Sequence, residues 1–145
     1  MKTLIVIIVA LMGFALYQAV KADPVQDENV FSLRNHVLYN DGTERPHSSV
    51  LNEESRPGWY VDVITEERLF RSEHKYDSGT GWPSFWEVSG DITLEQELLP
   101  WRGTEVRSAD GKRHYGHVFN DGPRPTNLRY CMNGVALKFI PDDDS

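Results

Sequence analysis

Cysteine is nearly absent. The 145 residues include one, Cys131, so no internal disulfide can form, and no Cys-x-x-Cys pair exists to hold a structural zinc. Basic residues are sparse, with 15 lysines and arginines against 22 acids and a formal charge of −7. No basic cluster is interleaved with aromatics, so the surface would repel nucleic acid phosphates. No apolar run reaches the ~20 residues of a spanning helix. Internal repeats and long amphipathic helices are also missing, which leaves short strands and loops as the main structural signal.

What is there begins with a leader-like segment. Lys2 opens it, an apolar run from Leu4 to Tyr17 follows, and Val20-Lys21-Ala22 closes it with slim side chains at the positions a signal peptidase tests. This is the layout of a secretory signal peptide cut after Ala22, with an uncleaved membrane anchor over residues 1–22 as the alternative. The expected location is therefore exported, periplasmic or extracellular. No cysteine lies near the cut, which argues against a lipoprotein. Cleavage would remove Lys2 and Lys21 and take the formal charge to −9, with 13 basic residues against 22 acids. Residues 23–29 read as a polar linker, 30–141 as one domain, and 142–145 as a solvated acidic tail.

Within the domain, Val30 to Tyr39 fits either a helix or a strand. Trp59 to Ile64 is rich in strand-forming residues. Thr104 to Arg107 alternates, Ala109-Asp110-Gly111-Lys112 signals a hairpin, and His114 to Phe119 makes the return strand. Leu128 to Asn133 and Val135 to Ile140 read as two strands around Gly134. Ile92 to Pro100 fits a short helix or strand. The loops are long and marked by Gly and Pro, as at Tyr76 to Gly81 and Asn120 to Pro125. The sum is a mainly β domain with small sheets, long ordered loops and few short helices.

Cys131 is either a buried structural thiol or a reactive one. On a strand, Arg129, Cys131 and Asn133 would project from one face. A nearby cation and hydrogen-bond donors favour a thiolate. His114 and His117 are three apart and would face opposite sides of a straight strand, unless Tyr115-Gly116 bends it. A histidine suits general acid work beside a thiolate. His114, His117, Asp121 and Cys131 are permitted zinc ligands, yet their spacing matches no common zinc motif. Trp82, Phe85 and Trp86 fit either a core cluster or, for Trp82, an apolar cup beside sulfur.

Six ordered blocks together resemble the methionine sulfoxide reductase B family. They are Gly42-Thr43-Glu44-Arg45-Pro46, Leu69-Phe70-Arg71-Ser72, Tyr76 to Phe85, His114 to Phe119, Asp121 to Thr126, and Arg129-Tyr130-Cys131-Met132-Asn133, within about Phe31 to Pro141. The resemblance implies two small antiparallel sheets and reduction of the R epimer of methionine sulfoxide in peptides and proteins. It implies Cys131 as nucleophile, and His117, His114, Asp121, Arg129 and Asn133 around it. His117 is the first choice of proton donor, with Asp121 orienting a histidine and Arg129 favouring the thiolate. Trp82 and Phe119 would receive the substrate.

Two departures stand out. Family positions that carry four zinc-binding cysteines fall here on Asp62, Thr65, Ser108 and Gly111, so neither a structural metal nor any cofactor is expected. The position of a second, resolving cysteine is Thr80, so an external thioredoxin-like protein or small thiol would have to recycle Cys131. Other readings of the same residues are a non-catalytic binding module that keeps the fold, and a cysteine hydrolase using Cys131, His117 and Asp121.

Overall fold

A computed structural model describes residues 24–143. The leader-like segment, residues 1–22, lies outside them, as do Asp144 and Ser145. Two compact units divide between Ser32 and Leu33, and the second holds both sheets.

Helix α1 runs over Pro24–Tyr39. The stretch taken for a linker is therefore helical from Pro24, and the ambiguity over Val30 to Tyr39 resolves as helix. Proline is favoured at the first helical position, where its missing N–H has no partner to lose. The C-terminal half of α1 buries Val37 and Leu38 completely, and the Arg34 Nε donates to the Val135 carbonyl at 3.1 Å.

Nine strands follow: β1 (Gly58–Asp62), β2 (Arg68–Arg71), β3 (Lys75–Tyr76), β4 (Ser84–Phe85), β5 (Ile92–Gln96), β6 (Thr104–Ser108), β7 (His114–Phe119), β8 (Arg129–Met132) and β9 (Leu137–Pro141). They form two antiparallel sheets, in the orders β2-β1-β9 and β3-β4-β8-β7-β6-β5. The mainly β expectation of two small antiparallel sheets is met. The hairpin at Ala109 to Lys112 joins β6 to β7, and Ile92 to Gln96 is a strand.

Aromatic side chains from both sheets meet in the core. Phe70 of β2 stacks on Phe85 of β4 with ring centroids 4.4 Å apart, and Tyr60 of β1 meets Phe85 edge-on at 4.9 Å. Tyr60, Phe70 and Phe85 are all fully buried. Such pairs add ~0.5–1.5 kcal/mol each beyond their area. Phe85 is thus core, as a cluster of large rings would suggest, whereas Trp82 lies elsewhere.

A second tie between the sheets is polar. Asp62, at the end of β1, is fully buried. Its Oδ2 accepts from the Arg113 Nε at 2.8 Å and from the Tyr115 hydroxyl, and its Oδ1 accepts from the backbone N–H groups of Ile64 at 2.7 Å and Thr65 at 3.1 Å. Ser108 Oγ donates to Asp110 Oδ1 at 2.6 Å and accepts from the Arg113 N–H at 3.0 Å. Asp62, Thr65, Ser108 and Gly111 do not suit a zinc ion. They include no thiolate, their one carboxylate has both oxygens engaged, and an arginine cation lies against it.

Asp142, the first residue of the acidic tail, is held in place. Both carboxylate oxygens of Asp142 accept from Arg71, at 2.9 and 2.8 Å, and the Asp142 N–H reaches the Pro57 carbonyl at 3.0 Å. An ion pair and a continued strand ladder hold this one residue.

Candidate active site

The six-stranded sheet builds the site by register. Directly opposed residues of antiparallel strands emerge on one face with Cβ atoms ~4.5–5.5 Å apart. Here Tyr76 pairs with Ser84, Ser84 with Cys131, Cys131 with His117, and His117 with Glu105. One row across five strands therefore carries a phenol, a hydroxyl, a thiol, an imidazole and a carboxylate. Alternation adds Arg129 and Phe119, themselves an opposed pair, to the same face.

Gly116 lets β7 and β8 approach at this point. A Cβ there would lie 2.2 Å from the Cys131 carbonyl oxygen. The bend foreseen at Tyr115-Gly116 is a bulge. Val106 pairs with Gly116 but Arg107 pairs with His114, which leaves Tyr115 as the extra residue. The bulge brings His114 beside His117, with ring centroids 5.2 Å apart.

The two histidines then differ. His114 is fully buried, and its Nδ1 lies 2.6 Å from Glu105 Oε1. Burial outweighs the neighbouring carboxylate and lowers its pKa, which favours the neutral ring; in that form Nδ1–H donates to Glu105. Its Nε2 is buried without a hydrogen-bond partner among the described residues. His117 is half-buried, and its Nε2 lies 3.2 Å from Glu97 Oε1 in the loop after β5.

Asp121 does not orient a histidine. Its carboxylate accepts two bonds from Arg129, Nε at 2.8 Å and Nη2 at 2.9 Å, and this pairing holds it below the usual carboxylate range. The Arg129 guanidinium also lies over the Phe119 ring, 4.3 Å from its centroid. The third member of a Cys-His-Asp hydrolase is thus missing from the imidazole. Glu105 and Glu97 are the carboxylates that meet His114 and His117. Sequence reasoning singled out neither, because a bulged register places the first and a loop places the second.

Asn133 lies just past β8 and is buried, with both amide atoms hydrogen-bonded. Its Oδ1 accepts from the Glu44 N–H at 2.9 Å, and its Nδ2 donates to the Tyr115 carbonyl at 3.1 Å. Glu44 completes this frame. Its carboxylate accepts the N–H groups of Gly134 at 2.7 Å and Val135 at 2.9 Å, and its carbonyl accepts the Trp82 indole N–H at 3.1 Å. Burial pushes the Glu44 carboxyl up, against the pull of those two N–H groups.

A cavity of about 140 Å³ opens at this point, lined by Thr43, Trp82, Gly116, His117, Phe119, Cys131 and Asn133. Drug-sized ligands need ~300–1,000 Å³, so this cavity fits the end of one side chain. Cys131 is half-buried at its floor, and its Sγ lies 3.8 Å from Thr80 Oγ1. A larger polar hollow of about 460 Å³, lined in part by Lys75, Asp77 and Ser78, does not include the sulfur. Asp41, Glu105 and His114 also cluster tightly enough to suggest a metal, but the Arg107 guanidinium pairs with both Asp41 and Glu105 and supplies the positive charge there.

The chain matches the SelR domain family over residues 31–141. The peptide methionine sulfoxide reductase MsrA/MsrB of Vibrio cholerae is 47% identical over 116 residues, covering 78% of this chain and 31% of that relative. The chain thus spans about a third of the length of the curated relative it matches.

Proposed function

This chain belongs to the methionine sulfoxide reductase B (SelR) family, and on that premise we propose that it reduces the R epimer of methionine sulfoxide in polypeptides. The observation that carries the reading is the opposed pair Cys131 and His117 lining a small cavity walled by Trp82 and Phe119.

The chemistry follows from what a sulfoxide needs. Its sulfur accepts a nucleophile only as its oxygen is protonated. The Cys131 thiolate attacks the sulfur while the imidazolium of His117 delivers a proton from Nε2 to the oxygen. Glu97 also lies within hydrogen-bond reach of Nε2, so the sulfoxide oxygen competes with a carboxylate for that proton. Attack forms a transient S–S bond; the protonated oxygen then moves to Cys131 Sγ as the substrate S–O bond and that S–S bond break, leaving methionine and a sulfenic acid on Cys131. Trp82 and Phe119 receive the methyl end by contact between soft sulfur and aromatic rings. His114 supports from behind, neutral and fixed by Glu105. With a single cysteine in the chain, an external thiol attacks the sulfenic acid, releases water as a mixed disulfide forms, and a second thiol frees Cys131.

The preference for polypeptides rests on the surround. Leu98 and Trp101, in the loop that also supplies Glu97, are 96% and 75% exposed. They offer apolar surface that residues flanking the sulfoxide could cover, which supports a polypeptide substrate.

The test is turnover of a peptide containing methionine R-sulfoxide with a chemical reductant, with a sulfenic-acid trap on the protein. Methionine release and an adduct on Cys131, both lost in Cys131→Ser, are expected; turnover that survives the substitution rules the assignment out. For location, we propose export by the leader-like segment, with repair of oxidised exported proteins as the role. N-terminal sequencing of the native protein should start at Asp23, and a start at Met1 would favour the anchor.

A further inference from the structure

Thr80 stands where the resembling family would place a resolving cysteine, and its hydroxyl has a definite environment. Thr80 Oγ1 lies 2.7 Å from Ser78 Oγ, Ser78 Oγ lies 2.7 Å from Ser84 Oγ, and Ser84 Oγ donates to the Trp82 carbonyl at 3.0 Å. At the other end of this chain is the Cys131 sulfur, 3.8 Å from Thr80 Oγ1. Ser84 is fully buried and sits directly opposite Cys131 on β4, so the sheet fixes one end of the hydroxyl chain, while Ser78 and Thr80 lie in the loop between β3 and β4.

Arg129 is poorly placed to supply all of the thiolate's stabilisation. Its guanidinium is already matched by the bidentate Asp121 and lies over Phe119. The two carboxylates nearest the histidines add negative charge. The sulfur therefore needs a neutral donor, and Thr80 is the polar side chain within hydrogen-bond reach of it among the described residues.

Each hydroxyl has one proton, and counting them shows what the chain can do. With a neutral thiol, Ser84 donates to the Trp82 carbonyl, so Ser78 must donate to Ser84 and Thr80 to Ser78. Thr80 then offers only a lone pair, which the S–H can meet. With a thiolate, the order reverses. Ser84 donates to Ser78, Ser78 to Thr80, and Thr80 to sulfur, at the expense of the Ser84 bond to Trp82. The Ser84 bond to the Trp82 carbonyl is given up and a bond to the sulfur is gained; the thiol proton leaves to solvent and three hydroxyls turn. Two backbone groups help to fix the oxygens, because the Thr80 N–H points at Ser78 Oγ and the Trp82 N–H at Thr80 Oγ1, each at 3.4 Å.

We propose that the Thr80 hydroxyl is a catalytic hydrogen-bond donor to the ionised sulfur of Cys131, and that Ser78 and Ser84 are positioning residues that turn with it as the thiol ionises. This deepens the reductase reading, since it concerns the same sulfur, but its test needs no sulfoxide.

The experiment is the pH dependence of Cys131 alkylation by iodoacetamide on the full chain. A hydrogen bond to a charged group is worth ~1.5–3 kcal/mol, so Thr80→Val should move the alkylation midpoint up by about one pH unit or more. Thr80→Ser keeps the hydroxyl and should return the midpoint to within a few tenths of a unit of the parent (~0.3). Ser78→Ala should raise it by less than Thr80→Val does. An unchanged midpoint in Thr80→Val overturns the proposal, and if that variant loses its near-ultraviolet circular dichroism, an unchanged midpoint in folded Ser78→Ala overturns it instead. A chain that alkylates as expected yet reduces no sulfoxide would sink the reductase reading and leave the hydroxyl chain standing.

Discussion

Strand β7 separates two polar clusters that use similar residues to opposite ends. On the side of the Asp62 cluster, every strong group is matched. Asp62 holds four donors, Arg113 spans Asp62 and the acids near it, and Tyr115 donates its hydroxyl. On the side of Cys131, hydrogen-bonding capacity is left over. His114 Nε2 and the Tyr76 hydroxyl are buried without partners among the described residues, and the thiol has only a weak contact with Thr80. A satisfied buried network holds structure, while spare capacity in a cavity is what a substrate can use.

The comparison makes separable predictions. Cys131→Ser should reduce turnover to background and leave stability almost unchanged; residual turnover above background would break the division at its centre. His117→Ala should slow turnover by ~10²–10⁴-fold, the usual span for a general acid, and His114→Ala by less. Equal losses would show that the bulge, rather than the half-buried imidazole of His117, carries the chemistry. Asp62→Ala should do the converse, costing ~3–5 kcal/mol because it takes from the buried Arg113 its closest partner and leaves only longer contacts to Glu67 and Asp110. Chemical denaturation would measure it, and kcat/KM on the folded fraction should hold.

The Asp62 side also has a pH signature. Burial alone would raise this carboxyl, but the Tyr115 hydroxyl, the Ile64 N–H, Arg113 and the Thr65 N–H together hold it below its ordinary 3.8. A carboxyl depressed in the folded state contributes stability that is present above the unfolded pKa and lost as pH falls through the lower folded one. Unfolding free energy should therefore drop on acidification below about 3.8, and Asp62→Asn should flatten that part of the curve. An equally steep curve in the variant would assign the acid sensitivity elsewhere. The smallest expected effect is at the rim, where Leu98→Ser with Trp101→Ser should raise KM for peptides a few-fold, ~2–5 times, and leave free methionine sulfoxide unaffected.

Much of this was legible in sequence where a local signal sufficed. The alternation of Thr104 to Arg107, the turn at Ala109 to Lys112 and the return at His114 to Phe119 fix a hairpin without tertiary help. Cys131, His117, Trp82 and Phe119 do meet at one cavity. The helix over Pro24 to Asn29 was hidden by polar composition. Asp121 was assigned to a histidine because carboxylates often serve that purpose, yet its neighbour across the loop, Arg129, is the stronger attraction. Glu105 and Glu97 could not be found, since one depends on a single extra residue at Tyr115 and the other on how a loop folds back. Glu44 stands in a recognisable block, but nothing local says that its carboxylate reaches Gly134 and Val135, 90 positions away.

The central claim is that one sulfur takes one oxygen. It is tested most directly by a single-turnover reaction without any reductant, in which an R-sulfoxide peptide is mixed with the reduced protein and methionine is counted. The account predicts one methionine per chain, a sulfenic acid on Cys131, no further turnover until a thiol is added, and no reaction with the S epimer. Methionine formed with Cys131 still a free thiol would contradict it.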